Sequence, residues 1–210
     1  MPKVKHGDFL RMLEASSTFS FRVVEGRLGK SYAKIFIHNL RKRGRIMELI
    51  RGWYTFSKSP YLITIPLGEA YVGLGTAAHI HGAWNQVPNI DILTTRAPGL
   101  TRSGERLVGG SKVIVRRIDR RMYFGYQHMA LNEAVPIRVS DPEKTLIDLL
   151  YFNYPYAEEI IPELMRIAKK EKVLAYLKSM GNLRGAKNIT RKLGLIYGIR
   201  DNLGDATKFI

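Results

Sequence analysis

The chain has 210 residues, no cysteine, and 34 Lys and Arg against 18 Asp and Glu, a formal net charge of +16. That length supports one large or two small domains, the missing cysteines exclude disulfides and thiolate metal sites, and no apolar run approaches the roughly 18 residues of a membrane span. No apolar leader segment opens the chain, so a cytoplasmic protein with a polyanionic partner is expected.

The charge is uneven. Residues 1–58 hold 13 basic and 4 acidic residues, and the remainder 21 and 14, so the excess concentrates at the N-terminus. There, residues from about Lys5 to Ala15 carry Phe9, Leu10, Met12 and Leu13 at helical spacing, and Ser16-Ser17-Thr18 ends that helix and offers a cap for a second, Phe21 to Leu28. Gly29 supplies a sharp turn. With Ser31 as N-cap of a third helix, Ala33, Phe36, Ile37 and Leu40 fall on one face. Ser31, Ile35, His38 and Lys42 fall on the other, flanked by Lys34, Asn39 and Arg41. Gly44 closes the helix in the left-handed conformation, after which RIMELI alternates, Arg51-Gly52 turns, and WYTF returns.

Helix, tight turn, helix and hairpin is the order of a winged helix-turn-helix. A face mixing hydroxyl, imidazole, amide, one aliphatic and several cations suits a DNA major groove, and a cation at the hairpin tip suits phosphate. The expected DNA-binding set is Lys30, Ser31, Tyr32, Lys34, Ile35, His38, Asn39, Arg41, Lys42, Arg43, Arg45 and Arg51.

Ser57-Lys58-Ser59-Pro60 is a polar break that divides a first domain, residues 1–58, from a second, residues 61–210. The second reads as a strand at Tyr71 to Leu74, a short helix at Thr76 to Ala83, and a strand at Asn89 to Thr95. The loop RAPGLTRSGERLVGGS follows, then strands at Lys112 to Ile118, Arg121 to His128 and Ala134 to Val139, the last two joined through Ala130-Leu131-Asn132-Glu133. Sequential strands without long crossovers predict a largely antiparallel or mixed sheet and an α+β fold. Ser140-Asp141-Pro142-Glu143 starts a helix by a capping-box pattern. Helices at Tyr156 to Lys170 and Glu171 to Met180 follow, then an apolar stripe of Leu183, Ala186, Ile189, Leu193 and Ile196.

Gly73-Leu74-Gly75-Thr76-Ala77-Ala78 has the outline of a dinucleotide fingerprint with Asp91 downstream as a ribose-binding acid, but the strand before it is short and no second βαβ half follows. His79 and His81 diverge by about 200° on a helix and cannot clasp one metal. Glu143 and Lys144 are adjacent and point apart, with no acidic pair to complete a nuclease metal site. Asp148, among Leu146, Ile147, Leu149 and Leu150, is expected to be partly buried as a fixed hydrogen-bond acceptor. No catalytic residue, metal or cofactor is assigned, and the chain is read as not an enzyme. A nucleotide-dependent enzyme built on Gly73-x-Gly75 and a non-specific basic architectural DNA-binding protein are the alternatives.

Three segments in order, LRKRGRIMELIRGWYTF, YVGLGTAAHIHGAWNQVPNIDILTT, and RMYFGYQ through VPIRVSDPEKTLIDLL, resemble the AbiEi family of type IV toxin–antitoxin antitoxins and related transcriptional regulators. The resemblance reaches about Phe152. It implies an N-terminal domain that binds inverted repeats in its own promoter, as a monomer in solution or a dimer on DNA. It also implies a C-terminal domain that counters a nucleotidyltransferase-like toxin, and it marks His81, Gly82, Glu143, Lys144 and Asp148 as family-motif residues. Whether these bind a partner or hold the fold, the pattern leaves open.

Overall fold

The computed structural model describes residues 6–86, 89–96, 104–131, 135–181, 183 and 185–197. Lys5 at the expected start of the first helix, residues 97–103 of the expected loop, and Asn132-Glu133 of the expected link lie outside them. The described residues form a mixed α+β structure with two sheets, and no helix among them is long and apolar enough to cross a membrane.

The N-terminal part comprises α1 (Gly7–Ala15), β1 (Phe19–Ser20), α2 (Phe21–Leu28), α3 (Lys30–Lys42), β2 (Met47–Ile50) and β3 (Trp53–Thr55). The three strands pair antiparallel in the order β1-β3-β2. Phe9, Leu13, Val24, Ala33, Ile37 and Leu40 meet Phe19, Ile46 and Tyr54 in one cluster, so each helix turns its apolar stripe inward. Details differ from the sequence reading. Met12 is half exposed. The cap of α2 is Ser20, whose hydroxyl accepts from the Val23 N–H, rather than Ser16 to Thr18. Gly29, at φ 77°, flanks α3 directly, which places Ser31 inside the first turn instead of at the N-cap. Strand β1 is two residues long, too short to leave an alternation in the sequence.

After a 3-10 turn (Pro60–Ile63) and α4 (Thr64–Leu67) come β4 (Ala70–Val72), α5 (Leu74–Ile80), β5 (Ile90–Thr94), β6 (Gly104–Val108), β7 (Ser111–Arg117), β8 (Tyr126–Met129) and β9 (Ile137–Ser140). They form a six-stranded sheet ordered β6-β7-β5-β4-β9-β8. The β5–β7 and β4–β9 pairs are parallel and the rest antiparallel. Strand β6 lies within the expected loop. Its Glu105 and Leu107 face solvent and Val108 alone is buried, so it carries no readable alternation; Gly109 and Gly110, both at positive φ, turn it back onto β7. The strand expected from Arg121 starts later: Arg121 and Met122 belong to a 3-10 turn (Arg120–Met122), and pairing begins at Tyr126.

Helices α6 (Pro142–Tyr151), α7 (Ala157–Ile167), α8 (Lys170–Met180) and α9 (Ala186–Ile196) cover one face of this sheet together with α5, around Tyr71 and Leu93. The N-cap of α6 is Asp141, which accepts the Lys144 N–H at 2.8 Å; Ser140 belongs to β9. The opposite face presents Val72, Ile92, Val113, Val115 and Val139, alternate residues of four strands. Leu62, Ile63 and Leu67 cover it, together with Leu49 and Ile50 from β2. A register shift between Glu48 and Ile50 breaks the period-2 pattern of β2, and these consecutive residues both enter that core. The polar segment Ser57 to Pro60 therefore does not interrupt the hydrophobic contacts.

Leu49 is 2 % exposed, and Leu49→Ala is expected to cost about 2–5 kcal/mol. In a Trp53→Phe background, Trp84 fluorescence reports the helical side of the six-stranded sheet, and its urea midpoint should fall with the Leu49 substitution. An unmoved midpoint would mean that β2 does not support that core.

Candidate nucleic-acid interface

Helix α3 has two faces of opposite chemistry. Ala33, Ile37 and Leu40 are buried, with Phe36 half-buried beside Phe9. Lys30, Ser31, Tyr32, Lys34, Ile35, His38, Asn39, Arg41 and Lys42 are exposed, and the helix contains no acidic residue. Ile35, at 55 % exposure, lies in the middle of the exposed stripe. Gly44 ends the helix region at φ 63°, leaving Arg43 exposed, and Arg51 is exposed at the hairpin turn. The turn is tied back by the Phe21 N–H, which donates to the Gly52 carbonyl at 2.7 Å.

Two members of the expected set are held by carboxylates. Arg41 pairs with Glu48 at 3.1 Å, and Arg45 pairs with Glu14 while its guanidinium lies 5.9 Å from the Phe56 ring centre. Among the described residues, Lys30, Lys34, Lys42, Arg43 and Arg51 make no ion pair. Arg22 and Arg27 on α2 are also exposed and stand outside the expected set; Arg22, about 160° around the helix from buried Val24, was legible as an outer residue, whereas Arg27 lies only about 60° from Val24. A groove of about 580 Å³ between β2 and β6 is lined by Arg41, Glu48, Arg51, Arg106 and Leu107.

His81, Gly82, Glu143, Lys144 and Asp148 sit elsewhere, at the joint between sheet and helices. Lys144 and Asp148, one turn apart on α6, are both 0 % exposed and ion-paired. Lys144 Nζ also donates to the Tyr71 hydroxyl at 2.9 Å, and that hydroxyl donates to Asp148 at 2.9 Å. Burial pushes the Lys144 amine down and the Asp148 carboxyl up, against their mutual attraction, and holds the Tyr71 phenol well above its ordinary range. Glu143 accepts the Lys169 N–H at 2.9 Å and pairs with Lys172 at 3.0 Å, fastening α8 to the start of α6. His81 donates from Nε2 to the Ser140 carbonyl at 2.7 Å, and Gly82 takes φ 72° just beyond α5. Glu143, Lys144 and Asp148 thus present no surface to a partner; their side chains hold α6 and α8 in place. Asp148 accepts from Tyr71 and Lys144 as expected of an acceptor, and it is fully rather than partly buried.

The Gly73-x-Gly75 turn is packed from within. A Cβ on Gly73 would come 2.7 Å from Leu93, and one on Gly75 would meet Trp84 at 2.8 Å and collide with the Tyr154 hydroxyl. Strands β4 and β5 are antiparallel, whereas a dinucleotide fingerprint joins parallel strands. Asp91 is buried, near Tyr154 (3.2 Å) and Arg116 (3.4 Å), and burial raises its carboxyl to about 6 although both neighbours pull it down. Among the described residues no three His, Asp or Glu side chains lie close enough to hold a metal ion. No protein-family model matches the chain, and no curated protein matches it.

Two outcomes follow from these buried charges. Lys144→Met leaves Asp148 buried and unpaired and should cost about 3–5 kcal/mol, whereas Lys144→Met with Asp148→Leu should recover most of that loss in chemical denaturation. For Asp91, the native state holds the proton up to about pH 6 and the unfolded chain only to about 3.8. Stability from this group is therefore present below about pH 4 and declines as pH rises to about 6. Relative to Asp91→Asn, the wild type should lose on the order of 2–3 kcal/mol across that window and nothing further above it. Unfolding both proteins at a series of pH values measures the difference.

Proposed function

We propose that this chain is a sequence-specific DNA-binding transcriptional regulator in which α1 to β3 act as a winged helix-turn-helix. The observation that carries this reading is the exposed face of α3. Ser31, Lys34, Ile35, His38 and Asn39 are displayed without a carboxylate among them, on a helix whose opposite side is anchored in the N-terminal core. The order of helices and strands, the β1-β3-β2 pairing, and an exposed cation at the hairpin turn support it. Concentration of net charge in residues 1–58 points to a polyanionic partner.

The second part of the proposal is an AbiEi-type antitoxin role for residues 61–210, opposing a nucleotidyltransferase-like toxin. It is supported by the order and spacing of the three resembling segments. Nucleotide-dependent catalysis at Gly73-x-Gly75 is not favoured, because Leu93, Trp84 and Tyr154 fill the space a ligand would need.

DNA binding by the full chain is tested by anisotropy with a duplex selected from a random pool and a scrambled duplex of equal length. His38→Ala and Lys34→Ala should each cost about 1–3 kcal/mol on the selected duplex and much less on the scrambled one. Arg51→Ala should weaken both alike and flatten the slope of log K against log salt by roughly one unit. Equal losses on both duplexes for His38→Ala and Lys34→Ala would remove α3 as the reader, and no preference by the wild type would favour an architectural protein.

A further inference from the structure

Helix α2 carries a glycine that nothing inside the molecule explains. Gly26 lies in the helix interior, exposed, and its φ is not positive, so no backbone conformation demands it. A Cβ built on it would meet no atom within 4 Å, so no neighbour demands it either. Glycine is the weakest helix former after proline, and alanine would suit this position better. The missing Cβ leaves a shallow dip in the outer surface of the helix.

The surroundings of that dip have one sign of charge. At 100° per residue, Arg22, Gly26, Val23 and Arg27 occupy one arc of about 140°, with Val24 about 60° beyond Arg27. Arg22, Gly26, Val23 and Arg27 are all exposed, Val24 is fully buried, and Arg22 and Arg27 make no ion pair among the described residues. Glu25 lies just outside this arc, about 60° beyond Arg22, and is half-buried. Two free arginines on either side of an exposed glycine form a seat for an anionic chain that must approach the helix backbone closely. An exposed valine in the same arc gives such a chain an apolar contact.

We propose that the outer face of α2, centred on Gly26 and flanked by Arg22 and Arg27, is the docking surface for the sugar–phosphate backbone of double-stranded DNA. Gly26 is glycine so that the strand can come within van der Waals distance. The inference rests on the winged helix-turn-helix reading, in which the helix before the reader crosses the backbone. It adds three residues, none on α3, that fix the depth at which the duplex sits.

The test sets folding against binding in one substitution. Gly26→Ala in the full chain should raise the thermal midpoint, because alanine stabilises an exposed helix position, and should still weaken DNA binding by about tenfold or more. The loss should be the same on the selected and scrambled duplexes, since phosphate carries no sequence. Arg22→Gln and Arg27→Gln should each flatten the salt dependence by roughly one unit while leaving the preference for the selected duplex intact. A Gly26→Ala protein that is more stable and binds as tightly as the wild type overturns the proposal, as does a loss confined to the selected duplex. Those results leave the α3 reading standing, whereas a wild type that binds no duplex removes both.

Discussion

The six-stranded sheet is apolar on both faces, and the rest of the molecule is arranged to satisfy that constraint. Alternation along β4, β5, β7 and β9 sends Val72, Ile92, Val113 and Val139 one way and Tyr71 and Leu93 the other. Each face needs a cover, because exposing either would cost the burial that holds the sheet together. Helices α5 to α9 supply one cover. The other is assembled from the residue 60–67 segment and from β2, which brings Leu49 and Ile50. The hairpin that completes the N-terminal sheet is thereby also part of the wall of the larger core. Arg41 on α3 is in turn paired to Glu48 on β2 at 3.1 Å.

On the helical side, the joint is polar. Lys144, Asp148 and Tyr71 satisfy one another where no water reaches, and the ammonium also lies 5.1 Å from the Phe124 ring centre. A buried ion pair of this kind adds little net stability over an apolar substitute. Its hydrogen bonds to Tyr71 join α6 to β4 of the sheet. Asp141, Glu143 and Lys172 repeat the device at the N-terminal end of α6, where Tyr176 also donates to Asp141 at 2.7 Å. The stretch from Asp141 to Asp148 is, in physical terms, a set of fasteners between one helix and its surroundings.

The basic surface divides in a similar way. Some cations are neutralised within the fold, among them Arg45 by Glu14 and Arg120 by Glu69. Others, on α2, α3 and the hairpin turn, face outward without a carboxylate partner among the described residues. A net excess of charge identifies a polyanionic partner only in outline; the local absence of counter-charges is what gives the N-terminal face its direction.

Much of this was written in local sequence. The 3.6-residue period of α3 names Ala33, Ile37 and Leu40 as buried and Ile35 and His38 as exposed, because a helix facing one core obeys a single angular rule. The strand alternation of β7, the glycine that ends α3, and the α+β class were legible for the same reason. What escaped were features set by contacts between distant segments. Strand β6 exists because Gly109 and Gly110 turn it onto β7, and Leu49 and Ile50 are both buried because a register shift and the large sheet overrule their alternation. Asp148 was legible as a buried acceptor, but its partner Tyr71, more than seventy residues earlier in the chain, and the full burial of Lys144 were not. Gly26 carries no signal in the local sequence, and only the structure shows the open space above it. Local periodicity decides which way a side chain faces; what lies opposite it is decided by the packing of the whole chain.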